Sequence, residues 1–138
     1  MAELVTVRAY SKGVTQAPRK VGLVASLVRG REVADALVIM EHVPKRAALP
    51  VKKAIESAQA NATNNYGLDA KSLVISTISV TAGTRLRRFV PASRGRALPY
   101  EKVTSNILVE VSGTPKPKKK PAAKKAAPVA AEEKEETK

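Results

Sequence analysis

The sequence has no cysteine and no tryptophan, and only four aromatic residues: Tyr10, Tyr66, Phe89 and Tyr100. Without cysteine there is no disulfide framework, no thiolate zinc site and no thiol nucleophile. The single histidine, His42, excludes a His-pair metal motif and leaves one candidate for any His-dependent catalysis. Its place after an expected helix and just before Pro44 reads as a surface loop. No apolar run approaches the roughly 18–20 residues of a membrane-spanning helix. The opening Met-Ala-Glu-Leu-Val-Thr-Val lacks the basic start and apolar block of a secretory signal. A soluble cytoplasmic protein is expected, with no metal and no cofactor. Acids are scarce as well. The 138 residues carry 12 Asp+Glu against 25 Lys+Arg, a formal charge of +13, on one domain's worth of chain. Such an excess points to a polyanionic partner.

The charge is not spread evenly. Residues 114–138 hold eight Lys and four Glu among Pro and Ala, with Val129 the one large apolar side chain. That composition cannot bury enough surface to offset the entropy of ordering, so a disordered tail is expected, basic first and acidic last. Residues 1–113 keep 17 basic and 8 acidic residues, a net +9. Two clusters stand out within them. Arg8, Lys12, Arg19, Lys20, Arg29 and Arg31 precede Glu32 with no acid among them. Arg85, Arg87, Arg88, Arg94, Arg96 and Lys102 are accompanied only by Glu101. Ordinary soluble surfaces intersperse both signs. Arginine dominates the second cluster, and guanidinium forks suit phosphates and stack on bases. Nucleic acid is the expected partner.

Hydrophobic periodicity supplies the elements. Glu3 to Tyr10 alternates, with Val5, Val7 and Ala9 on one side, and reads as a strand followed by a loop over 11–17. Pro18 suits the first position of a helix and Gly30 its stop, with Val21, Val24, Ala25 and Val28 on one face. Arg19 and Lys20 start that helix, where the free amides favour an anion. A second helix is expected over about Glu32 to Glu41, with Val33, Ala36, Leu37 and Met40 inward. A third is expected over about Arg46 to Ala62, with the stripe Val51, Ala54, Ile55, Ala58 and Ala62, and Pro50 in its first turns. Asn61, Asn64 and Asn65 are expected to cap it.

Ser72 to Thr81 and Ser105 to Val111 read as strands, with Val74, Ile78 and Val80 in partial alternation in the first and Ile107, Val109 and Val111 on one face of the second. The interval between them holds the arginine cluster. A structureless loop of that length is uncommon in a compact domain. A long hairpin is expected instead, its arms of eight to ten residues projecting roughly 25–35 Å. Pro91 and Gly95 mark the turn, and Phe89 and Val90 near the tip have no evident core to enter. An isolated arginine-rich ribbon is marginal in water and calls for a counter-charged partner.

Three stretches carry a resemblance. The first is Ala17-Pro-Arg-Lys-Val-Gly-Leu-Val-Ala-Ser-Leu-Val-Arg-Gly-Arg31. The second is Val51-Lys-Lys-Ala-Ile-Glu-Ser-Ala-Gln-Ala-Asn-Ala62. The third combines Arg87, Ala92-Ser93-Arg94-Gly95-Arg96 and Asn106-Ile-Leu-Val-Glu-Val111. In this order and spacing they resemble the bacterial large-subunit ribosomal protein family L-twenty-two, over about Val5 to Ser112. The resemblance implies an α+β fold: three helices packed on a small antiparallel sheet, a protruding β-hairpin at about 77–107, and a tail over 114–138. It implies a structural constituent of the large ribosomal subunit, cytoplasmic and not an enzyme. This constituent binds 23S rRNA, stabilises its folded domains during assembly and lines the nascent-peptide exit tunnel with its hairpin.

The implied rRNA-binding residues are Arg8, Lys12, Arg19, Lys20, Arg85, Arg87, Arg88, Arg94, Arg96 and Lys102. The implied tunnel-lining tip is Arg88, Phe89, Val90, Pro91, Ala92, Ser93, Arg94 and Gly95. The implied partners are 23S rRNA, neighbouring large-subunit proteins and the nascent peptide, with no membrane and no small-molecule substrate. Members usually carry Arg or His where this chain has Ala92. Pro99 in the returning arm calls for an edge position or a bulge, and the tail exceeds the usual length.

The residues alone leave other readings open. An architectural DNA-binding protein could use a basic β-arm on duplex DNA, although this arm offers few apolar wedges. An enzyme for an anionic substrate is opposed by the lone histidine and by the lack of a Gly-rich phosphate loop or metal cluster. Asp35 and Glu41, six residues apart, do not share one helix face closely. A membrane-surface peptide would need a basic amphipathic helix with aromatic anchors, and here the basic segment is a β-arm.

Overall fold

The computed structural model describes residues 4–115. The expected start of the first strand at Glu3 and nearly all of the expected tail lie outside them. The elements run β1 (Val5–Val14), α1 (Pro18–Ala25), α2 (Val33–His42), α3 (Ala48–Asn64), β2 (Val74–Pro91) and β3 (Ala97–Gly113). Short 3₁₀ turns at Ala70–Ser72 and Ser93–Gly95 complete the chain. The fold is α+β: three helices and a three-stranded antiparallel sheet of order β1-β3-β2.

The sheet is built around β3. Its inward residues Ile107, Val109 and Val111 are fully buried. They pair with Ser11, Ala9 and Val7 of β1, and with Val80, Ile78 and Ile75 of β2. The helices cover that face alone. The α3 stripe Val51, Ala54, Ile55, Ala58 and Ala62 is buried as its period requires, together with Val21, Val24 and Val28 from the α1 region and Val33, Ala36 and Met40 from α2. Alanine at three of the five α3 positions lets the helix lie close to the strands. Each buried Val or Ile contributes about 1.5–3 kcal/mol relative to exposure.

Several boundaries differ from the sequence expectation, each for a local reason. β1 continues to Val14 because β3 is long enough to pair with it as far as Val14↔Ser105. The segment expected as a loop from Ser11 is therefore strand for four more residues. α1 ends at Ala25, not Arg29. There the Ser26 hydroxyl donates to the Leu23 carbonyl at 2.9 Å, and Leu27 and Val28 bond three residues back rather than four. Side-chain competition for helix carbonyls tightens the chain in this way, and Val28 still reaches the core. α3 starts at Ala48, which leaves Pro50 in its first turn where no intrahelical N–H is missed.

In β2 an irregularity between Ile75 and Thr77 shifts the register. Ile75 and Ile78 both face inward as a result, and Val74 faces out, contrary to the simple alternation. Leu37 is only half-buried. His42 is the last residue of α2 and exposed, not a loop residue. Asn61 does not cap α3. Its Nδ2 donates to the Arg8 carbonyl at 3.3 Å and ties α3 to β1.

β2 and β3 continue past the body as the expected hairpin. Their pairing runs on from Ala82↔Ser105 to Pro91↔Ala97, so Ala82–Pro91 projects about 30 Å. β1 stops pairing at Ser105, so the arm section of β3 has a free edge. Pro99, opposite Phe89, sits on that edge strand and breaks no second ladder.

Candidate nucleic-acid interface

The hairpin leaves the body through a tight junction. The register shifts again between Ala82 and Arg85. Thr104, buried there, donates its hydroxyl to the Thr84 carbonyl at 2.7 Å. A Cβ on Gly83 would meet Thr104 Oγ1 at 2.5 Å and the Thr104 carbonyl carbon at 3.2 Å. Only glycine lets the two backbones approach this closely. The junction thus anchors the arm on the rigid part of the sheet.

At the far end the chain reverses over Ala92–Arg96, closed by the Ala92 amide bonding to the Arg96 carbonyl at 2.8 Å. Arg94 and Gly95 both take the left-handed conformation, at φ 59° and 69°. Glycine adopts it freely, whereas an arginine there is uncommon. The turn holds the Arg94 side chain at the extremity of the molecule.

Between junction and tip nearly every side chain is exposed. Cross-strand partners share a face. One face carries Arg85 beside Val103, Arg87 beside Glu101, and Phe89 beside Pro99. The other carries Leu86 beside Lys102, Arg88 beside Tyr100, and Val90 beside Leu98. Arg85 meets the arm's single acid, with Nη1 3.3 Å from Glu101 Oε2. Among the described residues Arg87, Arg88, Arg94, Arg96 and Lys102 make no salt bridge. Phe89 is 71 % exposed and Leu98 56 %. A ribbon with guanidinium groups and apolar surface on both faces can grip phosphates and lie against bases.

On the body the predicted cations fall into two groups. Arg8 and Lys12 project from the open face of the sheet, opposite the helices. Arg8 Nε pairs with Glu110 Oε1 at 2.8 Å across the sheet, and the Lys12 ammonium lies 5.3 Å from the centroid of the Tyr10 ring. Arg19 and Lys20 stand in the first turn of α1, exposed, in the helical layer. That turn has no acidic residue and no side-chain cap. The sheet therefore separates the two pairs. Two further cations of the first cluster act within the fold: an Arg29 Nη donates to the Ile78 carbonyl at 3.0 Å, and Arg31 Nε to the Leu27 carbonyl at 3.0 Å.

Sequence reasoning missed Lys45, Arg46, Lys52 and Lys53. The chain from Val43 to Ile55 contains four cations and no acid, a signal as clear as the two clusters singled out. Lys45 and Arg46 stand exposed on the α2–α3 loop near Lys20. Lys52 is committed elsewhere, 2.8 Å from Glu41 and 3.7 Å from Glu56. The hydrogen bond to Lys52, then its charge, holds the Glu41 carboxyl below the usual range. The same hydrogen bond raises the Lys52 ammonium above its usual value.

Among the described residues no cluster of His, Asp and Glu could hold a metal ion. Among those residues no helix is long and apolar enough to cross a membrane. The molecule is a packed body with two cationic surfaces and a cationic arm. The model of the family described as ribosomal protein L22p/L17e matches residues 9–112, from β1 through the whole hairpin to the end of β3. On that match, the chain belongs to the ribosomal protein L22p/L17e family and is a structural constituent of the large ribosomal subunit, in the cytoplasm.

Proposed function

We propose that the chain binds 23S rRNA through its arm and both sides of its body, and so helps hold folded rRNA domains together in the large subunit. The observation that carries this is the arm itself. The two paired strands and their turn, residues 82–105, extend past the core with six cations against one acid, and no other described part of the protein covers the arm. Self-repulsion opposes such a ribbon, and only a polyanion relieves it along its whole length. Arg85, Arg87, Arg88, Arg94, Arg96 and Lys102 grip rRNA along the arm, while Arg8 and Lys12 on one side and Arg19 and Lys20 on the other contact it from the body. Placement on opposite sides of the sheet suits a protein wedged between RNA segments better than one lying on a single duplex.

The tip, Arg88 to Gly95, is assigned to the wall of the peptide exit tunnel, where it meets the nascent peptide and neighbouring ribosomal proteins. The exposed Phe89 and Val90 and the projected Arg94 support that assignment. The test is equilibrium binding of the full chain to 23S rRNA and to duplex DNA of matched length over a salt series. The reading predicts tighter binding to folded rRNA at every salt concentration. Equal or tighter binding to duplex DNA would favour an architectural DNA-binding role.

A further inference from the structure

A hollow of about 420 Å³ lies between α1 and the α2–α3 loop, away from the hairpin. Its floor is apolar: Leu23, Leu27, Val43 and Pro44 line it. Leu23 is 74 % exposed and Leu27 48 %, although Leu23 sits on a helix whose other face is core and Leu27 in the turn that follows it. Its rim is cationic, formed by Lys20, Lys45 and Arg46, none of which makes a salt bridge among the described residues. The rim is held in place. The Gln16 side-chain amide donates to the Arg46 carbonyl at 2.9 Å, and the Lys45 amide bonds to the Val43 carbonyl at 2.8 Å. A peptide segment that suits it combines small apolar side chains with several carboxylates.

We infer that the groove receives the acidic end of this same chain, Pro128-Val-Ala-Ala-Glu-Glu-Lys-Glu-Glu136, with Val129 and the alanines on the apolar floor and the glutamates against the cationic rim. Charge and composition are complementary: three cations and an apolar floor face four glutamates, a valine and two alanines. Four glutamates and one lysine fall within five positions, in a molecule whose described surface is short of acids. The reach agrees as well. The described chain ends at Pro115, which bridges to Leu68 just beyond the C-terminal end of α3, whereas the groove borders Ala47 at the start of α3. The 17 residues of α3 put about 25 Å between those ends. Thirteen residues, 116–128, separate Pro115 from Val129, and a chain of that length can span at most about 45 Å, so the groove is within reach. The arginine-rich tip lies about 50 Å further along β3 from Gly113, twice as far as the groove. The contact covers Lys20 and Arg46 in the free protein and yields them to a stronger polyanion, which gives the body a way to limit non-specific association before assembly.

The inference does not rest on the rRNA reading, because its test uses the free full-length chain. The sequence has no cysteine, so Lys138→Cys carries a spin label at one site. Amide intensities are then compared between oxidised and reduced label at low salt. The expected result is loss of intensity at Leu23, Leu27, Val43 and Lys45. That loss disappears at high salt and in a variant with Glu132, Glu133, Glu135 and Glu136 all changed to Gln. Loss centred on the hairpin, loss spread evenly over the surface, no loss, or loss that survives the Gln variant would each overturn the inference.

Discussion

At the residue scale, cations of equal formal charge have unequal work. Arg29 and Arg31 spend their donors on backbone carbonyls, Arg8 and Arg85 face carboxylates, and Lys52 bridges Glu41 and Glu56. Arg88 faces Tyr100 across the arm and has no acidic partner among the described residues. Arg88→Ala is expected to weaken rRNA binding modestly and to reduce the magnitude of the salt slope by about one unit or less. An unchanged slope would mean that Arg88 faces solvent or the tunnel lumen. The Glu41–Lys52 pair makes a separate prediction. Glu41 sits below its ordinary value of 4.5, so its share of the pair is present above that value and is lost as pH falls through the lowered one. Lys52 sits above 10.5, so its share is present below that value and is lost as pH rises through the raised one. Glu41 is exposed and Lys52 only half-buried, which keeps the effect on stability small. In Lys52→Met the Glu41 carboxyl is expected to titrate at higher pH, followed by carboxyl carbon NMR. An unmoved midpoint would show that the pair does not form in solution.

At the element scale, the arm depends on its junction. Gly83→Ala places a methyl against Thr104, whose hydroxyl is already held by Thr84. Destabilisation of about 1–3 kcal/mol is expected, read as a lower denaturant midpoint. A neutral result would show that Thr104 gives way. The three strands and the three helix stripes were legible in the sequence because each rests on a local period, the long hairpin because a structureless loop of that length is uncommon, and the reversal was marked by Pro91 and Gly95. The inward Ile75 was not legible, because a one-residue irregularity flips the faces of a strand. Nor was the end of α1, which turns on a serine competing for a helix carbonyl. The cationic arm could be read from the second arginine cluster. The rim of Lys20, Lys45 and Arg46 could not be assembled from sequence, because the fold brings two distant segments together. Asn61 illustrates the same limit: a local rule assigned it to capping, and a long-range contact with β1 claims it.

At the scale of the whole molecule, core and arm divide the labour. Every buried apolar residue among those described lies within Val7–Ile78 or Ile107–Val111, and Leu86 to Ala97 contribute none. Deleting 86–97 is therefore expected to leave a body that melts cooperatively in calorimetry and still binds rRNA through its two faces, with reduced affinity. Loss of cooperative melting would show that the arm is part of the folding unit. The three strands place the cations of β1 and α1 on opposite sides of the sheet and send the arm beyond both, an arrangement suited to a site surrounded by RNA. The most direct measurement is sedimentation of cell lysate in a sucrose gradient at moderate and high salt. The account predicts that the full chain migrates with the large subunit and stays there through a high-salt wash, because an arm threaded into folded rRNA cannot leave by charge screening alone. Migration as free protein, or release at salt that leaves the subunits intact, would contradict it.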